Sequence, residues 1–292
     1  MDAQSQDPWT EAQWTRVQET VRDEAKKARV AASFMPLQGP LADDVQTAPL
    51  QRLQNVFAPG PGELLQVVDH DTRRLTTLAV NVGLRGAQVA EGDLDTALVA
   101  FRRAANLIAR AEDYVVFRGQ PGPNPRTPRA LRPCDIRGGA RFLGLLPTAL
   151  MIAQEPVGFP LPVGLVGAVS RAVSRLERRG HLGPFAVVLG NHLFDAAHSP
   201  LGTLVLPSDR IRPLIDGPLL RSSWLNRRVG RRQAPSGIVV SLADDLLDLI
   251  VAKEISVRRL QVTVEPTVRH VYRVSQRFTV RIKQATALVA LV

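Results

Sequence analysis

The side chains that could carry chemistry are few and scattered. His192 and His198 flank a short helical stretch and could be imagined as metal ligands, but no further ligand stands nearby at a recognisable spacing. His70, His181 and His270 are isolated, and neither G-x-S-x-G nor H-E-x-x-H occurs. The single cysteine, Cys134, cannot form an internal disulfide, and no histidine or acid is placed by sequence to activate its thiol. No catalytic, cofactor-binding or metal constellation is therefore expected. The remaining chemical signal is basic charge. The 37 basic residues against 27 acidic ones give a net +10, and only Lys26, Lys27, Lys253 and Lys283 are lysines. Arginines spread along the chain, without a zinc-finger, helix-turn-helix or RNP-type pattern, read as solvated or interface-lining, so a nucleic-acid partner is not expected.

The elements that must position these residues are clearer. Asp93 to Gly119 places Leu94, Leu98, Phe101, Ala105, Ile108 and Val115 at steps of three, four and seven, an apolar stripe along a helix of about six turns. Arg102, Arg103, Arg110 and Glu112 fall mostly off that stripe. Near the N-terminus, Thr10 can cap a helix over 11–30, Gln13 can reach back to complete a capping box, and Trp9 and Trp14 can clasp as a hydrophobic staple. Val17 and Val21 continue its inward face.

Residues 33–49 read as an extended crossing segment. Ala58 to Gly62 is a turn between two short strands, Leu53 to Phe57 and Leu64 to Val68, a hairpin reaching from the body. Leu75 to Val82 is a further strand. With five prolines and five arginines, 120–141 reads as an exposed loop or insertion. A second helix from Val163 to about Arg179 precedes the apolar strand Phe185 to Leu189, and Asn191 to Ala197 reads as a short helix. Gly237 to Ser241 and Asp248 to Ala252 are short strands. From Tyr272 to Lys283, apolar residues alternate with Arg273, Ser275, Arg277, Thr279, Arg281 and Lys283, so one face should be buried and the other strongly basic. Ala285 to Val292 closes the chain as a strand. No apolar run approaches the roughly 20 residues of a membrane span, and the N-terminus shows no basic-then-apolar signal, so a cytoplasmic location without membrane contact is expected.

Several strings, in order, resemble one family. TEAQW, GPLADDVQTAP, AEDYVVFRG, GHLGPFAVVL, LIVAKEISV and FTVRIKQATALVAL together resemble the encapsulin shell proteins, the linocin-type bacteriocin family. The resemblance implies an α+β, HK97-like capsid fold. It divides the chain into an inner-surface helix and arm (1–49), an extended loop (50–76), a peripheral domain with the spine helix and a Pro/Arg-rich insertion (77–141), an axial domain (142–230) and C-terminal strands returning to the peripheral domain (231–292). It also implies a non-enzymatic protein that self-assembles into an icosahedral homo-oligomeric shell and packages a cargo enzyme, an iron-storage ferritin-like protein or a peroxidase, through a C-terminal targeting peptide.

The cargo groove implied by the resemblance combines the first helix with Lys253 to Val257. Its expected residues are Val30, Phe34, Glu254, Ile255 and Val257. Ile255 and Val257 suit apolar positions of an extended peptide, and Glu254 a basic one. Many members carry Gly-Arg-Arg after the first helix where this chain has Ala32, Ser33 and Phe34, which shifts the expected contact toward apolar. The expected pore loop comprises His198, Ser199, Pro200, Leu201 and Gly202. A prophage-type capsid protein packaging DNA is the alternative the same fold allows.

Overall fold

The computed structural model describes residues 8–42, 44–57, 63–200, 205–229, 232–243, 246–263 and 269–292. Helix α1 (Glu11–Ala28) begins at the capping box read from sequence, with the Gln13 amide N–H donating to Thr10 Oγ1 and the Thr10 amide N–H to Gln13 Oε1. Trp9 and Trp14 meet edge to face at 5.0 Å, and Val17, Val21 and Ala25 are buried. The helix stops two residues short of the expected 30.

Helix α2 (Asp95–Arg118) buries the whole stripe of Leu98, Phe101, Ala105, Ile108 and Val115. Alanines 97, 104, 109 and 111 are buried as well, because α1 and a sheet pack against it from different sides. Glu112 is a correction to the sequence reading: it is fully buried, and so is its neighbour Asp113. Gly119 ends the helix at φ 82, where a Cβ would stand 2.4 Å from the Phe142 carbonyl oxygen. Only glycine fits that approach.

Among the described residues, ten strands make two five-stranded sheets: β1 (Leu37–Gln38), β2 (Thr76–Arg85), β3 (Asp135–Gly138), β4 (Gln154–Glu155), β5 (Phe185–Leu189), β6 (Leu219–Arg221), β7 (Gly237–Ser241), β8 (Leu247–Thr263), β9 (Arg269–Ile282) and β10 (Leu288–Leu291). The first sheet runs β1-β8-β9-β2-β3, the second β4-β10-β7-β5-β6. β9 has the alternation expected of it: Tyr272, Val274, Phe278 and Val280 face α2. Its other face is not simply solvated, since Thr279 and Arg281 are buried.

The second sheet is covered on both faces, which is why β5 is apolar throughout. Ala186 and Val188 join the core beneath α2 and α3 (Leu145–Ile152), while Phe185, Val187 and Leu189 face α4 (Leu161–Arg178), α5 (Asn191–Ala197) and α6 (Pro207–Ile215). β7 and β10 come from the last quarter of the chain, so the second sheet is completed by residues beyond 230.

The segment 120–141 is an exposed loop only in part: residues 121–130 are exposed or half-buried, and the rest enters the body of the protein. β3 pairs antiparallel with β2, placing Ile136 opposite Leu78, and Leu131, Cys134 and Ile136 are buried. The hairpin is present as Arg52–Phe57 paired with Glu63–Val68; its expected turn, 58–62, lies outside the described residues.

Candidate functional site

A cleft of about 530 Å³ opens between the C-terminal half of α1, the segment 32–40 and β8. Arg22 and Lys26, one turn apart on α1, and Arg29, the residue that follows the helix, form one wall. Ala32, Leu37, Val251 and Ile255 supply apolar surface, and Glu254 is the acidic residue among those lining it. A second cleft, of about 510 Å³, shares Arg22, Pro40, Glu254 and Ile255 and extends the depression to Leu41 and Ser256. Together they make an elongated groove.

The edge of β8 along this groove is partly occupied. β1 pairs with it at Leu249 and Ile250. Farther along, Gln18 of α1 imitates a neighbouring strand: its Nε2 donates to the Val257 carbonyl at 2.7 Å, and its Oε1 accepts the Val257 amide N–H at 3.1 Å. Among the described residues, no strand covers the edge between these two points.

The end of α1 is held by charge. Arg29 approaches Glu112 at 3.3 Å and donates to Gln276 Oε1 at 2.7 Å, while Gln276 Nε2 donates to Glu112. Asp113 accepts the amide N–H groups of Val30 and Ala31, which start the short helical turn Ala31–Ser33. Burial drives both carboxyls upward; Asp113 reaches about 7 despite the opposing bond from the Ala31 N–H. Gln276, the residue that breaks the apolar alternation of β9, is therefore the bridge between α1 and α2.

Of the sequence-predicted groove residues, Glu254 and Ile255 line the cleft. Val30 is half-buried against the core. Phe34 and Val257 point into that core, Phe34 lying 6.4 Å from Phe117, so they stand behind the groove wall. Sequence reasoning missed Arg22, Lys26 and Leu37; the helical spacing of the cations was the available signal. His198 closes α5, its Nδ1 2.9 Å from the Phe194 carbonyl, and Ser199 and Pro200 follow; Leu201 and Gly202 lie outside the described residues. Burial pushes the Cys134 thiol up to about 12, which removes it as a nucleophile.

The family model described as an encapsulating protein for peroxidase matches residues 1–124. The type 1 encapsulin shell protein EncA of Myxococcus xanthus is 28% identical over 302 residues, spanning 98% of this chain and 94% of its own. The chain is similar to the encapsulin shell proteins. The similarity extends to the fold. A virus-like particle from Pyrococcus furiosus superposes with a TM-score of 0.66 at 14% identity, over 97% of this chain and 100% of that one. The capsid of Myoviridae phage XM1 superposes at 0.58 and 11% identity, over 89% and 90%. The fold is HK97-like, and the relative that aligns along nearly the whole of this chain is named a shell protein, in keeping with a structural and not an enzymatic role. No helix among the described residues is long and apolar enough to cross a membrane.

Proposed function

We propose that copies of this chain close into an icosahedral shell in the cytoplasm, and that the groove beside β8 holds an extended targeting segment of an enclosed enzyme, a peroxidase or a ferritin-like iron protein. The hairpin carries the assembly reading. Leu64, Leu65 and Val67 are 60%, 67% and 53% exposed. Because Leu64 and Leu65 are adjacent, the ribbon is apolar on both faces, and a two-stranded ribbon is marginal unless something covers it. A neighbouring copy supplies that cover, with 50–76 acting as the extended loop, 142–230 as the axial region and 198–202 as the pore loop.

The groove supports cargo capture through its combination of apolar floor, charged rim and uncovered strand edge, which suits an added extended peptide. Assembly is tested by Leu65→Asp. The unmodified chain should form large hollow particles by light scattering and electron microscopy, and the variant small species only. Particles of unchanged size and yield from the variant would remove the hairpin from the interface.

A further inference from the structure

The face of the first sheet turned away from α2 contains a cationic trough that meets the groove at Lys253 and Ser256. Register defines it. Lys253, Arg277, Thr77 and Arg137 stand directly opposite one another across β8, β9, β2 and β3. Two residues along, Ser256, Ser275, Ala79 and Asp135 form a second row, and two farther Arg258 and Arg273 face each other beside Asn81. Small and hydroxyl side chains thus make a floor between two cationic banks, roughly 13 Å apart by strand rise. The open depression between them measures about 310 Å³.

Like charges placed directly opposite in neighbouring strands repel, and this face holds two such pairs, Lys253 with Arg277 and Arg258 with Arg273. Asp135, the one carboxylate lining the trough among the described residues, is engaged by Arg137 at 2.5 Å. On the same face the arm covers Ile250 and Ala252 with Leu41, Val45 and Ala48, and Arg277 donates to the Val45 carbonyl. The trough begins where that cover ends.

We infer that this trough binds a compact, multiply charged oligophosphate anion. Guanidinium groups present paired N–H donors matched to phosphate oxygens, and the hydroxyls of Thr77 and Ser275 add donors along the floor. Among the described residues, the lining contains no large apolar side chain to anchor a peptide and no aromatic ring to stack a base. Those absences favour a small inorganic chain over an acidic peptide or a single-stranded nucleic acid.

Sodium tripolyphosphate titrated calorimetrically into assembled particles, in buffer free of divalent metal, tests the inference. The unmodified chain should bind it, more weakly as salt rises. Arg258→Gln with Arg273→Gln should weaken binding about tenfold or more. Without the anion the same variant should unfold no lower than the unmodified chain, since a repulsive pair has gone. Arg102→Gln with Arg103→Gln, exposed on α2, should leave binding unchanged. Should the double variant fail to assemble, Lys253→Gln alone, at an exposed position, should weaken binding about threefold. No binding to assembled particles, equal loss in the α2 control, or displacement by a polyglutamate peptide at the same concentration would each overturn the assignment.

Discussion

Arg281 lies against Asp248 with its Nε donating to both carboxylate oxygens, at 2.9 and 3.0 Å, and its Nη2 reaching Oδ2 at 2.6 Å. Both side chains are buried, and the guanidinium continues to Gln51 and Gln38, while Lys283 approaches the same carboxylate at 3.2 Å. The pair thus ties the arm and the base of the hairpin to β8 and β9. Removing one partner leaves the other charge buried. Asp248→Ala should cost about 3–5 kcal/mol in chemical unfolding, whereas Asp248→Leu with Arg281→Met should cost less than either single change. A double variant that loses the sum of both would show that the two act independently.

Asp113 predicts a pH dependence with a defined sign. Its carboxyl is raised from 3.8 to about 7 in the folded chain, chiefly by burial. Between those values the folded state keeps a proton that the unfolded state has released, so this group's contribution falls as pH rises and is level above about 7. Asp113→Asn keeps an acceptor for the Ala31 N–H and removes the titration. The variant should therefore gain stability relative to the unmodified chain from pH 5 to pH 8, as read by chemical denaturation. A constant difference across that range would place the ordinary carboxyl value in the folded state.

Local patterns were legible wherever a few adjacent residues decide the outcome. Thr10 with Gln13, Trp9 with Trp14, the stripe of α2, the hairpin and the alternation of β9 were each readable, because capping, period and burial on one face are short-range properties. The second half of the segment 120–141 was misread because its proline and arginine content masks three apolar residues, Leu131, Cys134 and Ile136, that fill the core. Glu112 looked peripheral because its cover, Arg29 and Gln276, comes from two distant elements. The groove was half legible for a similar reason. Glu254 and Ile255 lie on one strand, but Arg22, Lys26 and Leu37 join them only after α1 folds back over β8.

Trp9 fixes the start of α1. Its ring stacks on Tyr272 at 4.6 Å with an interplanar angle of 8°, lies 5.9 Å from Phe101, and its Nε1 donates to the Val89 carbonyl at 3.0 Å. Trp9→Ala opens a cavity and orphans that carbonyl, so it should cost about 3–5 kcal/mol. Trp9→Phe, which retains the stacking, should cost less. Hydrogen exchange should then show α1 opening before α2 in the alanine variant, and equal protection of the two helices would count against Trp9 as the anchor.

The proposed cargo role of the groove is best probed at Leu37 and not at Ile255. Ile255 is 3% exposed, so an aspartate there would disturb β8 whatever the groove does. Leu37 is 54% exposed and lines the cleft, so Leu37→Asp buries no new charge and changes mainly the surface offered to a bound segment. Covering the exposed half of Leu37 contributes about half of the 1.5–3 kcal/mol of a fully buried leucine, so its loss corresponds to roughly a four- to fifteenfold loss of affinity. Particles of the variant should form normally by electron microscopy while co-purifying cargo falls by about that factor. Arg102→Ala, on the exposed face of α2, should change neither quantity. If cargo loads equally into Leu37→Asp particles, the targeting segment binds elsewhere on the inner surface.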